Sequence, residues 1–291
     1  MPELPEVQTT VSGLNRVLKN LLIKAVWTDY NSPYFYGSNT IKDPNYFKYF
    51  KKKILNTKIL NVERRAKNIL INLSNNHTIL IHMKMTGHIM YGDYNRKDPF
   101  NRFIHFIITL SNNETMELCD TRKFAKVTLI GPDNKYNSIH LKDIGPEPLE
   151  KSFTFKIFKE QLYKKPNKEI KTVLLNQEII AGIGNIYSDE SLWRAGIYPK
   201  EKVINIPENK LKKLYKAIQS TLLKGIDFGG DSMSDYRNIH GEKGKFQEQH
   251  RAYRKTGTLC SKKNCKGKII RIMVGGRSTH YCDIHQKQYK V

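Results

Sequence analysis

The stretch CSKKNCKGKIIRIMVGGRSTHYCDIH, residues 260–285, decides how the end of this chain folds. It carries Cys260, Cys265, Cys282 and His285, spaced Cys-x4-Cys-x16-Cys-x2-His. Two close pairs of soft or borderline ligands, each on a tight turn and facing each other across a β-hairpin, can enclose a tetrahedral ion. With all four positions supplied by protein, such a site holds one structural Zn2+ rather than a catalytic one. Lys262, Lys263, Lys266 and Lys268 surround the ligands, as suits a hairpin that grips a polyanion. The remaining cysteine, Cys119, lies far upstream and reads as a buried thiol on a strand.

The basic character of that segment extends to the whole chain. Fifty Lys and Arg against 27 Asp and Glu give a net charge of +23 over 291 residues. Such an excess points to a nucleic-acid partner, because cationic side chains displace condensed counterions from a phosphate backbone. A hydrophobic content of 39% with 10% aromatics belongs to a folded protein, not a disordered one. The first 25 residues open with acids and lack a long apolar run, so they read neither as a signal peptide nor as a spanning helix. No segment approaches the roughly 20 apolar residues that cross a bilayer. A cytoplasmic, nucleoid-associated protein without membrane contact is expected.

Moving outward to the amino terminus, Pro5-Glu6 is a helix opening, with proline in the first turn and an acid at the positive dipole end. Val7, Val11, Leu14, Leu18 and Leu21 then recur at helical spacing. Short β-rich runs follow at 69–73, 78–83, 103–110 and 126–130, separated by turn-like Ser74-Asn75-Asn76 and Ser111-Asn112-Asn113. The stiff Gly145-Pro146-Glu147-Pro148 is the expected boundary, beyond which helices are predicted over 153–164, 168–176, 188–195 and 208–224. Gly229-Gly230 then opens a polar loop running to about His250. The class is α+β. A leading helix and an antiparallel β-sandwich domain occupy 1–135, a linker 136–150, a helical domain 151–250, and a zinc-binding hairpin 251–291.

Three separated segments together resemble the formamidopyrimidine-DNA glycosylase and endonuclease VIII family. They are Met1-Pro2-Glu3-Leu4-Pro5-Glu6, Ala181-Gly182-Ile183-Gly184-Asn185-Ile186-Tyr187 and Gly276-Arg277-Ser278-Thr279-His280-Tyr281-Cys282. Smaller matches lie in order between them: Arg64-Arg65-Ala66-Lys67, His82-Met83-Lys84-Met85-Thr86-Gly87, Asp120-Thr121-Arg122-Lys123-Phe124 and Gly145-Pro146-Glu147-Pro148-Leu149. The chain departs from the family pattern at His285, where a cysteine is usual, at Lys123, where arginine is usual, and at Phe103, where a DNA-contacting histidine is common.

The resemblance implies a helix-two-turn-helix element in the helical domain and a bifunctional DNA glycosylase and lyase acting on double-stranded DNA as a monomer. It assigns Pro2 as the nucleophile once Met1 is removed. An α-amino group with a pKa near 7.7–8.0 is partly unprotonated at neutral pH, so the chemistry is reasonable. Glu3 is implied as the acid that protonates the sugar ring oxygen, and Lys67 and Arg277 as phosphate-binding groups that assist elimination. Glu6 reads locally as a first-turn acid, and the resemblance implies that it faces the site. Lys165, Lys171 and Asn185 would extend a phosphate clamp at a helix N-terminus entered through glycines. Met85, Arg122 and Phe124 match a void-filling trio, although a buried core role is the ordinary reading of a Met and a Phe at strand ends. The backbone amides of Met233, Ser234, Asp235 and Tyr236, in a lesion-capping loop 229–250, would read the flipped base. Leu4, the long loop and the trio favour oxidised purines (8-oxoguanine, formamidopyrimidines). Oxidised pyrimidines, or a non-catalytic zinc-finger DNA-binding protein, are the alternatives.

Overall fold

The computed structural model describes residues 1–93, 97, 99–132 and 135–289. The chain divides into two compact units, Met1–Lys142 with Phe228–Lys245, and Asp143–Asp227 with Phe246–Val291.

In the first unit, helix α1 (Leu4–Leu18) presents Val7, Val11, Leu14 and Leu18 to the core at the spacing read from the sequence, while Leu21 packs just beyond its end. Two four-stranded antiparallel sheets follow. One has the order β1 (Ile23–Thr28), β6 (Ile104–Leu110), β7 (Thr115–Asp120), β5 (Gly87–Gly92). The other runs β2 (Ile59–Arg65), β3 (Asn68–Leu73), β4 (Thr78–His82), β8 (Lys126–Ile130). Alternate residues of both sheets, among them Ile69, Ile71, Ile79 and Val127 from one and Phe106, Ile108 and Leu118 from the other, join a single buried cluster. That is the sandwich expected from period-two patterning. Asn76 and Asn113 turn the β3–β4 and β6–β7 connections with φ of 62° and 66°, which asparagine tolerates better than most residues.

One element of this unit escaped the sequence reading. Helix α2 (Pro44–Ile54) interrupts the β-rich region, with Asp43 accepting from Asn45 N at 2.8 Å and Pro44 in the first turn. Phe47, Phe50 and Ile54, with Tyr46, face the core at helical spacing, but the interspersed Lys48, Lys51, Lys52 and Lys53 mask that pattern in the sequence. The Asp43-Pro44 pair was the readable signal.

The second unit holds α3 (Phe155–Leu162), α4 (Ile170–Leu175), α5 (Asn185–Ala195) and α6 (Glu208–Asp227), then a hairpin of β9 (Ile269–Val274) and β10 (Arg277–Cys282). Helix α5 starts earlier than expected because Gly184 caps it, and residues from Ile186 to Trp193 are buried almost all round. The two turns between α4 and α5 are organised by Gln177, whose Oε1 accepts from Gly182 N at 2.9 Å. Its Nε2 donates to Ile183 O, also at 2.9 Å.

The domain boundaries shift in one respect. The sequence reading placed the whole loop 229–250 with the helices, but Phe228–Lys245 groups with the first unit. Tyr236 is the physical reason: buried, it donates its hydroxyl to Glu6 O on α1 at 2.9 Å, and Ile239 enters the sandwich core. The hairpin expected to bind zinc likewise does not separate from the helices, because Trp193 of α5 shares its small core.

Candidate functional site

In the first unit, the amino terminus is held by a buried carboxylate. Pro2, Glu3 and Glu6 are all buried. Glu6 Oε2 accepts from Glu3 N at 2.7 Å, and Glu6 Oε1 accepts from Asp231 N at 2.7 Å. One side chain therefore fixes the backbone beside Pro2 and anchors the start of the 228–245 segment. Gly230 is required there: its φ is +84°, and a Cβ would stand 2.9 Å from Glu6 Cγ. This corrects the DNA-contact expectation for Glu6. A 1% exposed carboxylate engaged on two backbone amides positions the site and has no face to offer DNA. From that anchor the segment emerges so that Met233 and Ser234 are exposed and Asp235 half-exposed, while Tyr236 dives into the core. Burial holds the Tyr236 hydroxyl well above the ordinary phenol range, so it stays a neutral donor.

Lys67 follows Ala66, whose φ of +52° makes the tight β2–β3 connection, and it is only 6% exposed. Lys67 is therefore a held group, not the solvated strand edge its local sequence suggests. His82, at the end of β4, was quoted in a motif but given no role. Its Nδ1 accepts from Lys84 N at 2.9 Å, which leaves the proton of the neutral ring on Nε2. Burial, then the charges of Lys84 and Lys67, push its pKa down to about 3, so the ring is a neutral donor across the physiological range.

Met85 and Phe124 are 40% and 48% exposed, and the Arg122 guanidinium lies 4.4 Å from the Phe124 ring centroid. The core reading of Met85 and Phe124 fails on exposure. Three side chains of apolar and stacking character instead stand out from the sandwich, as a wedge requires. Asp120 supports their loop by accepting from Arg122 N at 3.2 Å and Ala125 N at 2.7 Å, and it also binds the Thr86 hydroxyl.

In the second unit, Arg277 is exposed at the start of β10, directly after Gly275-Gly276, whose φ values of 53° and 72° close the hairpin tip. Three bonds hold the strand behind it. Asn185 Nδ2 donates to Ser278 O at 2.9 Å, Lys171 Nζ reaches the same carbonyl at 3.3 Å, and His280 N donates to Asp189 Oδ2 at 2.9 Å. Lys171 is thus corrected. It is fully buried and ion-paired with the equally buried Asp189, so it aims Arg277 through the Ser278 backbone instead of meeting a phosphate itself. Asn185 stands at the helix start, with one of its amide protons committed to Ser278 O. Lys165 is exposed just past α3, and nothing in the structure brings it to the other clamp residues. Asp189 was the functional residue least legible in the sequence. Glu190 accepts from Arg251, Ala252 and Tyr253 amides at 2.9–3.0 Å and so fixes the turn entering the finger.

Cys260, Cys265, Cys282 and His285 bring their ligand atoms within 4.8 Å of one another and could hold a metal ion. Cys265 Sγ lies 3.5 Å from Cys282 Sγ, and Cys260 Sγ lies 3.3 Å from His285 Nδ1. Tetrahedral ligation with metal–sulfur bonds of about 2.3 Å sets such spacings. His285 Nε2 donates to Trp193 O at 2.9 Å, which leaves the Nδ1 lone pair facing the thiols. The four residues fit a metal ion, with His285 Nδ1 beside the three thiols as the fourth possible donor.

Comparison with known proteins agrees with this geometry. Residues 1–127 match the family description "Formamidopyrimidine-DNA glycosylase N-terminal domain", and residues 144–237 match "Formamidopyrimidine-DNA glycosylase H2TH domain". The formamidopyrimidine-DNA glycosylase of Bacillus subtilis (strain 168) is 36% identical over 282 residues, covering 97% of this chain and 98% of that protein. The enzyme of the same name from Pelotomaculum thermopropionicum is 37% identical over 287 residues, covering 99% of each. Among solved structures, a Lactococcus lactis FPG variant bound to Fapy-dG-containing DNA superposes with a TM-score of 0.87 at 31% identity. MutM bound to DNA containing carbocyclic 8-oxo-G gives 0.86, also at 31%. Both alignments cover 99% of this chain and 100% of the other. Among the described residues no helix is long and apolar enough to cross a membrane.

Proposed function

Because this chain belongs to the formamidopyrimidine-DNA glycosylase family, we propose that it excises oxidised purines from double-stranded DNA and then cleaves the strand. The observation that carries this reading is the full-length match to relatives of that name, together with solved neighbours holding formamidopyrimidine and 8-oxoguanine-type DNA.

The chemistry proposed for this chain starts at Pro2. With Met1 removed, its secondary amine attacks C1′ of the flipped nucleotide. The C1′–base bond breaks, the electron pair leaves with the base, and the base is protonated as it departs. Glu3, held by Glu6 through its own backbone, protonates the sugar ring oxygen and opens the ring to an iminium. That cation acidifies the C2′ proton, whose loss expels the 3′ phosphate; a second elimination expels the 5′ phosphate. Lys67 and Arg277 bind the phosphate and stabilise its departing charge. Met85, Arg122 and Phe124 fill the space left by the flipped base, and the amides of residues 233–236 read its edge.

The ion held by Cys260, Cys265, Cys282 and His285 is proposed to be a structural Zn2+, supplying the rigidity that the short hairpin cannot generate from its own core. The enzyme would work as a monomer on DNA in the cytoplasm.

Borohydride reduction with a duplex bearing 8-oxoguanine opposite cytosine tests the reading. A covalent adduct is expected, reduced on the order of 10³-fold or more when the terminal amine is acetylated, as loss of a nucleophile entails. Absence of any adduct with every lesion would sink it, and preferential adduct formation on thymine glycol would move the substrate class to oxidised pyrimidines.

A further inference from the structure

Beside the exposed Met85 and Phe124, the first unit contains a cavity of about 610 Å³ whose walls include Phe35, Lys42, Lys84 and Lys126. We propose that this cavity is an additional nucleotide-binding site, in which the lysines hold a phosphate and the aromatic wall takes the attached sugar and base.

Three observations converge on that ligand class. The first is charge. Three lysines line the space, and no Asp or Glu lines it among the described residues. Asp120, whose charge reaches Lys42, is fully buried behind the wall and already accepts from Arg122 and Ala125 amides. Burial, and then the charge of Lys84, lowers the pKa of Lys126; that of Lys42 is lowered by burial and further by Lys84, with the Asp120 carboxylate acting in the opposite direction. An entering phosphate would relieve that repulsion.

The second observation is preorganisation. Lys42 Nζ is fixed by donation to Lys123 O at 2.6 Å and stands 4.9 Å from the Phe35 ring centroid. Lys126 Nζ lies 3.2 Å from His140 Nδ1. Cations held in place bind an anion at a smaller entropic cost than free surface lysines do.

The third is the aromatic rim. The 3-10 turn Pro33–Phe35 carries Tyr34 at 94% exposure, Tyr36 follows at 65%, and both flank the Phe35 that lines the cavity. Exposed rings next to fixed cations match the combination by which bases stack while their phosphates are neutralised.

Two sources could supply the nucleotide. One is the duplex itself: if Met85 and Phe124 fill the void in damaged DNA, a backbone continuing past that wedge meets these lysines. This source rests on the DNA reading given above. The other is a free nucleotide, which needs no such reading.

Fluorescence anisotropy with a duplex carrying an abasic-site analogue, at several salt concentrations, tests the site in wild type and in the double variant Lys84→Gln/Lys126→Gln. The variant is expected to bind roughly 10-fold more weakly at low salt, and its log–log salt slope is expected to be shallower by about 1–2. Lys84→Arg/Lys126→Arg should restore both values, and thermal melting of each variant monitors folding. Neutral methylphosphonate linkages placed along the undamaged strand locate the source: a loss of wild-type affinity that the Gln variant no longer shows assigns the site to that strand. Titration with dGMP, followed by calorimetry, covers the other source. Binding by wild type that the Gln variant loses, with no methylphosphonate effect, assigns it to a free nucleotide. Unchanged affinity and salt slope in the Gln variant, with no dGMP binding by wild type, would overturn the proposal. Adduct formation is scored separately, so a wild type that forms none would fail the catalytic reading while the binding titrations still decide the cavity.

Discussion

At the amino terminus, Glu6 spans two backbone amides inside a unit whose core is continuous from α1 through both sheets. At the carboxyl terminus, Asp189 and Glu190 perform the same kind of task, pinning His280 N and the 251–253 amides. The finger they support, however, packs on little more than Trp193, Ala252, Ile269 and its own cysteines. Both regions present a functional group through a buried carboxylate that orders backbone. They differ in what can keep that carboxylate in register: apolar burial in the first case, and in the second four ligand atoms close enough to hold a metal ion. A small hairpin cannot bury enough area to offset its own ordering entropy, so the chemistry of the ligands has to supply the difference.

The largest test of that contrast is metal removal. Chelation, or Cys282→Ser, should unfold the hairpin and abolish binding to duplex DNA while the sandwich keeps its melting transition. Metal-ion binding in such modules is worth on the order of 10 kcal/mol and is itself the folding free energy. Hydrogen exchange resolved along the chain would show protection lost at β9 and β10 alone; equal loss in β3 and β4 would break the comparison.

Next in size is Asp189→Asn, which takes the carboxylate from a fully buried Lys171. Removing one member of a buried pair costs about 3–5 kcal/mol, measurable by denaturant unfolding. A cost near that of a surface pair would mean that the second unit does not depend on this anchor.

Glu6→Gln, the counterpart in the first unit, keeps one acceptor and loses the charge. A cost of about 1–3 kcal/mol is expected, with a larger fall in kcat than in substrate binding because the segment entering at Asp231 loses its tether. An unchanged kcat would restrict Glu6 to folding.

A smaller, pH-dependent effect belongs to His82. Its folded-state pKa of about 3 lies below the ordinary value near 6.5, so the folded protein favours the neutral ring. The associated stability is complete above about pH 6.5 and is lost as pH falls towards 3. His82→Gln should therefore flatten the acid limb of a stability profile in that window and leave the alkaline limb unchanged; a parallel shift of the whole profile would contradict the assignment.

The smallest stability effect is expected for Phe124→Ala. A half-exposed ring should change stability by no more than about 0.5 kcal/mol, while base flipping, followed with a fluorescent base analogue opposite the lesion, slows. A large destabilisation would restore the core role that exposure argues against.

Much of this architecture was legible because periodicity and spacing are local. The 3.6-residue recurrence of Val7, Val11, Leu14 and Leu18, the asparagine turns, the boundary near Gly145 and the four ligands could all be read in order. Helix α2 was not, since the lysines between Phe47, Phe50 and Ile54 hide its apolar face. Among site residues, Lys171 and Glu6 looked like surface charges, because nothing local distinguishes a buried charge from a solvated one.

By itself, then, the sequence determined the two-part plan, the metal-binding set, the polyanionic partner and the order of the chemical groups along the chain. Only the tertiary structure decided which of those groups face outward. It turned Met85 and Phe124 to solvent and buried Lys171 against Asp189. It drew the segment at Tyr236 back onto α1 and gathered Lys42, Lys84 and Lys126, from three separate stretches, around one cavity. Burial and convergence are set by contacts between residues far apart in sequence, and no local pattern encodes which distant neighbour will cover a charge.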